Sequence, residues 1–243
     1  MKILLAPSET KRPHGEVPFV SNSLFCNTLL SQRNQLIEHY NHMVQNGDLR
    51  TLSSLFGLKK TSDILHYQQN IWTQPATKAV QRYTGVAFEY LDYDGLDSTA
   101  QSYIDTHLLI FSNLFGVIKA DDMIPDYRLK QGAMVGEIRV DHLYQNALKN
   151  CLDEYLTGDE ILDLRAGFYD KFYTPSMPYT TLKFIKNKKV VSHWAKAYRG
   201  IVVREIAKAQ CQSIEAFMKL PIENLVIQEI LTKKNHTQIV CAV

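Results

Sequence analysis

The residues best suited to chemistry in this 243-residue chain stand in short polar sets that follow apolar runs. Ser8, Glu9 and Lys11 follow the run Lys2 to Ala6. Asp122, Tyr127 and Arg128 follow Leu108 to Phe111, inside the segment IFSNLFGVIKADDMIPDYRLKQG (Ile110 to Gly132). Arg165 and Tyr169 follow Ile161 to Leu164. Ser192, His193 and Lys196, with Arg199 beyond them, follow a predicted hairpin. A carboxylate among lysines and arginines can supply a general acid or base and cations that hold a phosphate. Strand-end loops are where α/β folds place ligands, because the strand holds the loop rigid. The candidate pocket is therefore Ser8, Glu9, Lys11, Asp122, Tyr127, Arg128, Lys196 and Arg199. No recognised catalytic spacing accompanies it: GxSxG, HExxH, a Walker loop and GxGxxG are all absent from the sequence. The plainer alternative is that Ser8 to Lys11 cap a turn and that Asp122 pairs with Arg128 to hold a loop. Isolated charges are costly to bury, so convergence of the set requires opposite-sign pairing or a bound anion. Arg128 or Lys196 is expected within ion-pair reach of Glu9 or Asp122.

Charge is unevenly distributed. Between Lys183 and Lys208 lie eight basic residues, Lys183, Lys186, Lys188, Lys189, Lys196, Arg199, Arg204 and Lys208, against Glu205 alone. The segment is +7, which leaves −5 for the rest of a chain whose net charge is +2. It reads either as a polyanion-binding surface or as a solvated helix face with a lysine-rich hairpin tip. Leu49 to Trp72 reads as helix, tight turn, helix, with Thr61 or Ser62 capping the second helix. This looks like a helix-hairpin-helix, in which a glycine turn offers backbone N–H groups to a phosphate. Gly57, Lys59 and Lys60 would be its contacts. Lys59 stands where that motif has its second glycine, and its Cβ works against close backbone approach. An ordinary helical hairpin packed on the core is the alternative.

The elements that must position these residues follow from periodicity. Short apolar runs at Lys2 to Ala6, Leu108 to Phe111 and Ile161 to Leu164 predict buried strands, and Pro7 to Pro18 predicts a loop. Asn27 to Gln45, His142 to Tyr155 and Ala195 to Gln210 have helical spacing, the last interrupted by Gly200. Thr180 to Val191 reads as a hairpin turning near Asn187. Leu225 to Leu231 pairs with Thr237 to Val243. The fold class is α/β with α+β character: a mixed central sheet flanked by helices, in one domain over residues 1–243. No apolar run approaches the ~20 residues of a membrane span, and Met1 to Ala6 leads into prolines and charges rather than a signal peptide. Cys26, Cys151, Cys211 and Cys241 are scattered, so neither a zinc site nor a redox dithiol is expected. They read as buried free thiols in a reducing cytosol. His39 and His42 share a helix face but have no third ligand, so no metal and no cofactor is predicted.

Five stretches, in order, resemble the peroxide-stress YaaA family. They are KILLAPSETK at the N-terminus, YTGVAFEYLDYDGL (Tyr83 to Leu96), the Ile110 to Gly132 segment with its P-x-YRLKxG end, ILDLRAGFYDKFY (Ile161 to Tyr173) and VVSHWAKAYRGIVVREI (Val190 to Ile206). Asn113 stands where a glycine is usual, Lys119 where arginine is frequent, and Thr10 where one subgroup has glycine. The resemblance implies a helix-hairpin-helix, a positive cleft that binds DNA, and a cytoplasmic role in limiting iron-dependent oxidative damage. DNA binding is then expected to be sequence-tolerant, through Gly57, Lys59, Lys60, Lys183, Lys186, Lys188, Lys189, Lys196, Arg199 and Arg204, in a monomer with no membrane partner. The alternative is an enzyme acting on a nucleotide or other phosphorylated small molecule in the strand-end pocket.

Overall fold

The runs KILL and LLIFS are too short for helices and lack a polar face, which suits strands covered on both sides. A computed structural model describes residues 1–186, 189–190 and 192–243, the side chains of 189, 190, 192 and 193 excepted. In it these runs form β1 (Lys2–Leu5) and β4 (Leu108–Ser112), at the centre of a mixed sheet. On the other side of β1 lie β9 (Ile161–Asp163), β10 (Tyr179–Lys186) and β13 (His236–Ala242), all parallel to it. β5 (Gly116–Lys119) and β12 (Val226–Lys233) close the two ends in antiparallel pairing. β11 (Lys189–Val190) pairs antiparallel with β10, as the predicted hairpin requires, while its turn lies outside the described residues. The order is β12-β13-β10-β9-β1-β4-β5. The chain passes from β1 to β4, recrosses to β9, then moves on to β10 and β13. Strand order therefore reverses between β1 and β9, and their carboxyl ends open a crevice.

The excursion from β1 to β4 carries six helices: α1 (Leu30–Asn46), α2 (Leu49–Phe56), α3 (Thr61–His66), α4 (Ala79–Arg82), α5 (Val86–Leu91) and α6 (Ser98–His107). It also carries β2 (Val17–Pro18) and β3 (Pro75–Lys78), which make a small sheet with β6 (Met123–Pro125). The hairpin β7 (Met134–Val135) and β8 (Ile138–Arg139) leads into α7 (Val140–Tyr155). α8 (Ser192–Lys208) and α9 (Ile214–Met218) precede β12. The mixed α/β class expected from the sequence is the class found. Gly200 is not a break in α8. A Cβ there would sit 2.0 Å from the Ala87 carbonyl oxygen, so the glycine lets α8 press its backbone onto α5. The second helix of the 49–72 element stops at His66, six residues short of Trp72. Neither Thr61 nor Ser62 caps it: Lys60 holds that position without a side-chain bond. Asp48 does cap α2, accepting from the Thr51 N–H at 2.8 Å.

Two fully buried arginines tie the excursion to the sheet. Arg33 donates to five backbone carbonyls: Phe115 (2.8 Å), Leu24 (3.5 Å), Cys26 (3.1 Å), Phe25 (2.6 Å) and Val117 (2.7 Å). Arg82 donates to Ile124 (3.1 Å), His14 (2.7 Å), Pro75 (2.9 Å) and Arg12. A guanidinium with no carboxylate partner survives burial here because its fork of donors is spent on carbonyls that would otherwise be unsatisfied. Burial lowers both pKa values from the usual arginine range. One sequence expectation is corrected in the same region. Cys26 and Cys151 are not free thiols but a disulfide joining the turn before α1 to α7. The partners are 125 residues apart, so spacing carried no sign of the pairing, and the argument from free thiols to a reducing compartment lapses for them. Cys211 and Cys241 are buried and free, and burial raises the Cys241 thiol to about 11.

Candidate functional site

Three parallel strands aim their carboxyl ends at one place. The loop after β1 brings Ser8, Glu9 and Thr10, the turn after β4 brings Asn113, and the segment after β9 brings Tyr169. α8 faces them with Lys196 and Arg199 one turn apart, and the start of α5 supplies an apolar wall of Val86, Ala87 and Phe88. Between them lies a half-enclosed cavity of about 430 Å³. The volume lies within the range of small-molecule pockets.

Glu9 and Arg128 form the expected ion pair beside this cavity, Nη2 to Oε2 at 3.0 Å. The other Glu9 oxygen accepts the Gln131 N–H at 3.0 Å. Arg128 also donates Nη1 to the Glu9 carbonyl (3.2 Å) and Nε to the Phe56 carbonyl (3.0 Å) at the end of α2. Its three donor nitrogens are therefore all engaged, and the residue acts as a clasp between the β1 loop and the α2–α3 hairpin. Lys196 and Arg199 differ: among the described residues neither has a carboxylate within ion-pair distance nor a hydrogen-bond partner. Burial draws the Arg199 guanidinium below its usual value, and the field of Asp163 opposes this. Asn113 and Tyr169 lock each other, the phenol donating to Oδ1 at 2.9 Å while Nδ2 donates to the Leu129 carbonyl at 3.2 Å.

The remaining members of the predicted pocket stand behind this wall. The Lys11 ammonium donates to the carbonyls of Ser8 (3.1 Å) and Glu9 (3.3 Å) and rests 4.0 Å from the Tyr127 ring centroid. Desolvation draws its pKa down to about 7. The Tyr127 hydroxyl is buried between the Tyr83 hydroxyl (2.8 Å) and Ser112 Oγ (2.7 Å), and burial holds it well above the usual phenol value. Asp122 does not line the cavity and does not pair with Arg128. Its carboxylate accepts the N–H groups of Phe25 (2.9 Å) and Lys119 (2.9 Å), and its pKa is raised by burial. Asp122 therefore closes a loop through backbone N–H groups, and the expected Asp122–Arg128 ion pair is not formed because Arg128 is taken by Glu9. Arg165 is likewise engaged, bidentate on Asp163 at 2.9 and 2.6 Å beneath the ring of Phe111.

The described members of the basic run do not form one surface. Side chains alternate along a strand. Phe184 of β10 stacks on Tyr198 of α8 and the Lys186 ammonium lies 5.6 Å from the Trp194 ring, so Lys183 points to the opposite face. Arg204 is paired with Asp92 at 3.0 Å and Lys208 with Glu205 at 3.1 Å. Lys188 lies outside the described residues, as do the side chains of Lys189, Ser192 and His193. Of the basic residues singled out between 183 and 208, Lys196 and Arg199 reach the cavity.

Other cations extend it. A concavity of about 240 Å³ shares Asn113 with the strand-end cavity and is lined by Lys130, Lys171 and Arg139. Another, of about 590 Å³, shares Gln131 with it and is lined by Arg50 and Lys130. Arg139 is held by Asp141 at 2.9 Å, but among the described residues no carboxylate is within ion-pair distance of Arg50, Lys130 or Lys171. The Lys130 chain lies against Gly57, where a Cβ would come within 3.0 Å of Lys130 Cδ. Gly57 has φ +66° and ends α2, and Lys59 and Lys60 are exposed just beyond it. These three adjoining concavities form a trough from α8, past the strand ends, to α2, lined by the ion pairs Glu9–Arg128 and Arg139–Asp141 and by five cations with no carboxylate within ion-pair distance among the described residues. Arg50, Lys130 and Lys171 were not among the contacts expected from the sequence, although Lys130 is the lysine of the P-x-YRLKxG stretch.

A family model described as peroxide stress protein YaaA matches residues 1–231. The chain is 42% identical over 241 residues to an uncharacterized protein of Campylobacter jejuni, spanning 99% of this chain and 98% of that one. It is 31% identical to a UPF0246 protein of Corynebacterium efficiens, with 89% of each covered. A UPF0246 protein of Streptomyces coelicolor is 28% identical over 215 residues. With near-complete coverage in the first of these and the strand-end motifs now placed around one cavity, the chain belongs to the peroxide stress protein YaaA family.

Proposed function

We propose that this protein binds DNA through its phosphates during peroxide stress and acts where iron-dependent oxidation would do its damage. The observation that carries the reading is the trough of unpaired cations, Arg50, Lys130, Lys171, Lys196 and Arg199, bordered by Lys59 and Lys60. Cations with spent donors serve the fold, whereas these five keep theirs for a ligand. These cations come from separate elements, α2, α8 and the loops after β6 and β9, which favours contacts to phosphate and sequence-tolerant binding. The α2–α3 turn contributes as a hairpin clamp at one end. Five phosphate contacts give a slope of log affinity against log salt of about −4 to −5. A titration of the full chain with duplex, bubble and single-stranded DNA across salt tests this. Affinity that holds constant between low and moderate salt overturns it.

Chemistry on a nucleotide in the strand-end cavity is the second reading. It is favoured by the Glu9 side chain, which is 37% accessible and lines the cavity. Turnover of a phosphorylated nucleotide that is lost in Glu9→Gln would support it. Absence of turnover with mono-, di- and triphosphates would remove it.

A further inference from the structure

The strand-end cavity differs from the rest of the trough in its charge count and in its walls. Among the described residues four charged side chains line it: Glu9, Arg128, Lys196 and Arg199. The first two neutralise each other at 3.0 Å. Two positive charges remain, on one face of α8, and Arg199 is half-buried without a partner among the described residues. Beside them stand the apolar residues Val86, Ala87 and Phe88, held there by the contact of Gly200 with Ala87. A backbone phosphodiester carries one charge and has chain on both sides, which suits the open trough. A half-enclosed cavity with two unneutralised charges suits a group that carries two charges and ends there.

We infer that this cavity is a binding site for a phosphomonoester dianion attached to a nucleoside, with Lys196 and Arg199 on the phosphate and the α5 wall against the base or sugar. The inference rests on the cavity's reading as a nucleotide site but requires no turnover. Two sources carry this chemistry, a free nucleoside monophosphate and the 5′-phosphate at a DNA end. The second would place a broken strand's end beside the cations that hold its backbone.

Calorimetric titration of the full chain with adenosine 5′-monophosphate and with adenosine tests it. The monophosphate binds and adenosine binds at least tenfold more weakly. Affinity for the monophosphate rises several-fold from pH 5 to pH 7.5, because the second phosphate proton leaves near pH 6. Arg199→Met and Lys196→Met each weaken the monophosphate at least tenfold, while Lys208→Met, on the same helix but paired with Glu205, leaves it unchanged. Arg199→Lys, which keeps the charge, recovers part of the loss and guards against a folding defect in Arg199→Met. A 5′-phosphorylated oligonucleotide that outbinds its 5′-hydroxyl counterpart, with the gain lost in Arg199→Met, identifies the DNA end as the source. Binding of the free monophosphate without that gain identifies the free nucleotide. Equal affinity for monophosphate and adenosine, or no binding of either phosphorylated probe at millimolar concentration, overturns the inference. Monophosphate binding without hydrolysis leaves it standing and removes only the enzyme reading. Salt-insensitive DNA binding removes only the trough reading.

Discussion

Arg33 and Arg199 are the same residue type put to opposite uses. Arg33 is fully buried, and its donors are spent on five carbonyls from residues 24–26, 115 and 117. Arg199 is half-buried on α8 with no partner among the described residues, facing a cavity at the carboxyl ends of the central strands. The contrast extends to whole regions. On one side Arg33, Arg82, Asp122 and the Cys26–Cys151 disulfide pin the loops of the long excursion to the sheet. On the other, Arg50, Lys130, Lys171, Lys196 and Arg199 line a trough and have no carboxylate partner among the described residues. A count of charges cannot separate the two uses. What separates them is whether each donor already has an acceptor.

The comparison breaks most visibly at the pinned side. Arg33→Met is expected to cost about 4 kcal/mol or more of stability, since several buried carbonyls lose their donor at once. Urea unfolding measures this, and a loss under 1 kcal/mol would mean that water or backbone relaxation replaces the guanidinium.

The trough side sharpens it in the reverse sense. Lys59→Glu combined with Lys60→Glu should weaken DNA binding roughly tenfold or more and flatten the salt slope by about one unit per lost contact. Stability should move by less than about 0.5 kcal/mol, as both side chains are exposed. Equal DNA affinity for variant and wild type would return the α2–α3 turn to a packing role.

Lys11 lies between the two regimes, engaged like Arg33 but placed behind the cavity. Its folded-state pKa of about 7 lies below the ordinary 10.5. Between these values the unfolded chain binds the additional proton, so wild-type stability rises with pH across this window. Below about pH 7 both states are protonated and the destabilisation is constant. Lys11→Met should remove that rise, a difference on the order of 1–2 kcal/mol after solvent screening. Parallel stability curves for wild type and variant from pH 7 to 10 would show that the ammonium is better solvated than its position beneath the loop implies.

Much of this was legible in the residues themselves. Apolar runs with no polar face and of strand length could only be buried strands, so β1, β4 and β9 and the polar loops after them followed from local pattern. The helical spacing of α1, α7 and α8 followed in the same way, as did the approach of Glu9 to Arg128, because buried charges must find partners. Tertiary structure alone decided the rest. It decided that Asp122 meets the N–H groups of Phe25 and Lys119 rather than a cation, because that choice depends on a loop 97 residues away. It joined Cys26 to Cys151 across 125 residues. It divided the basic run, sending Lys183 to one face, Arg204 to Asp92 and Lys196 with Arg199 to the cavity. It also recruited Arg50 and Lys171, which no local pattern marked. The physical reason is the same in each case. Periodicity is set by neighbours along the chain, whereas the partner of a charge or a thiol is set by which distant segment the packed core brings within about 3 Å.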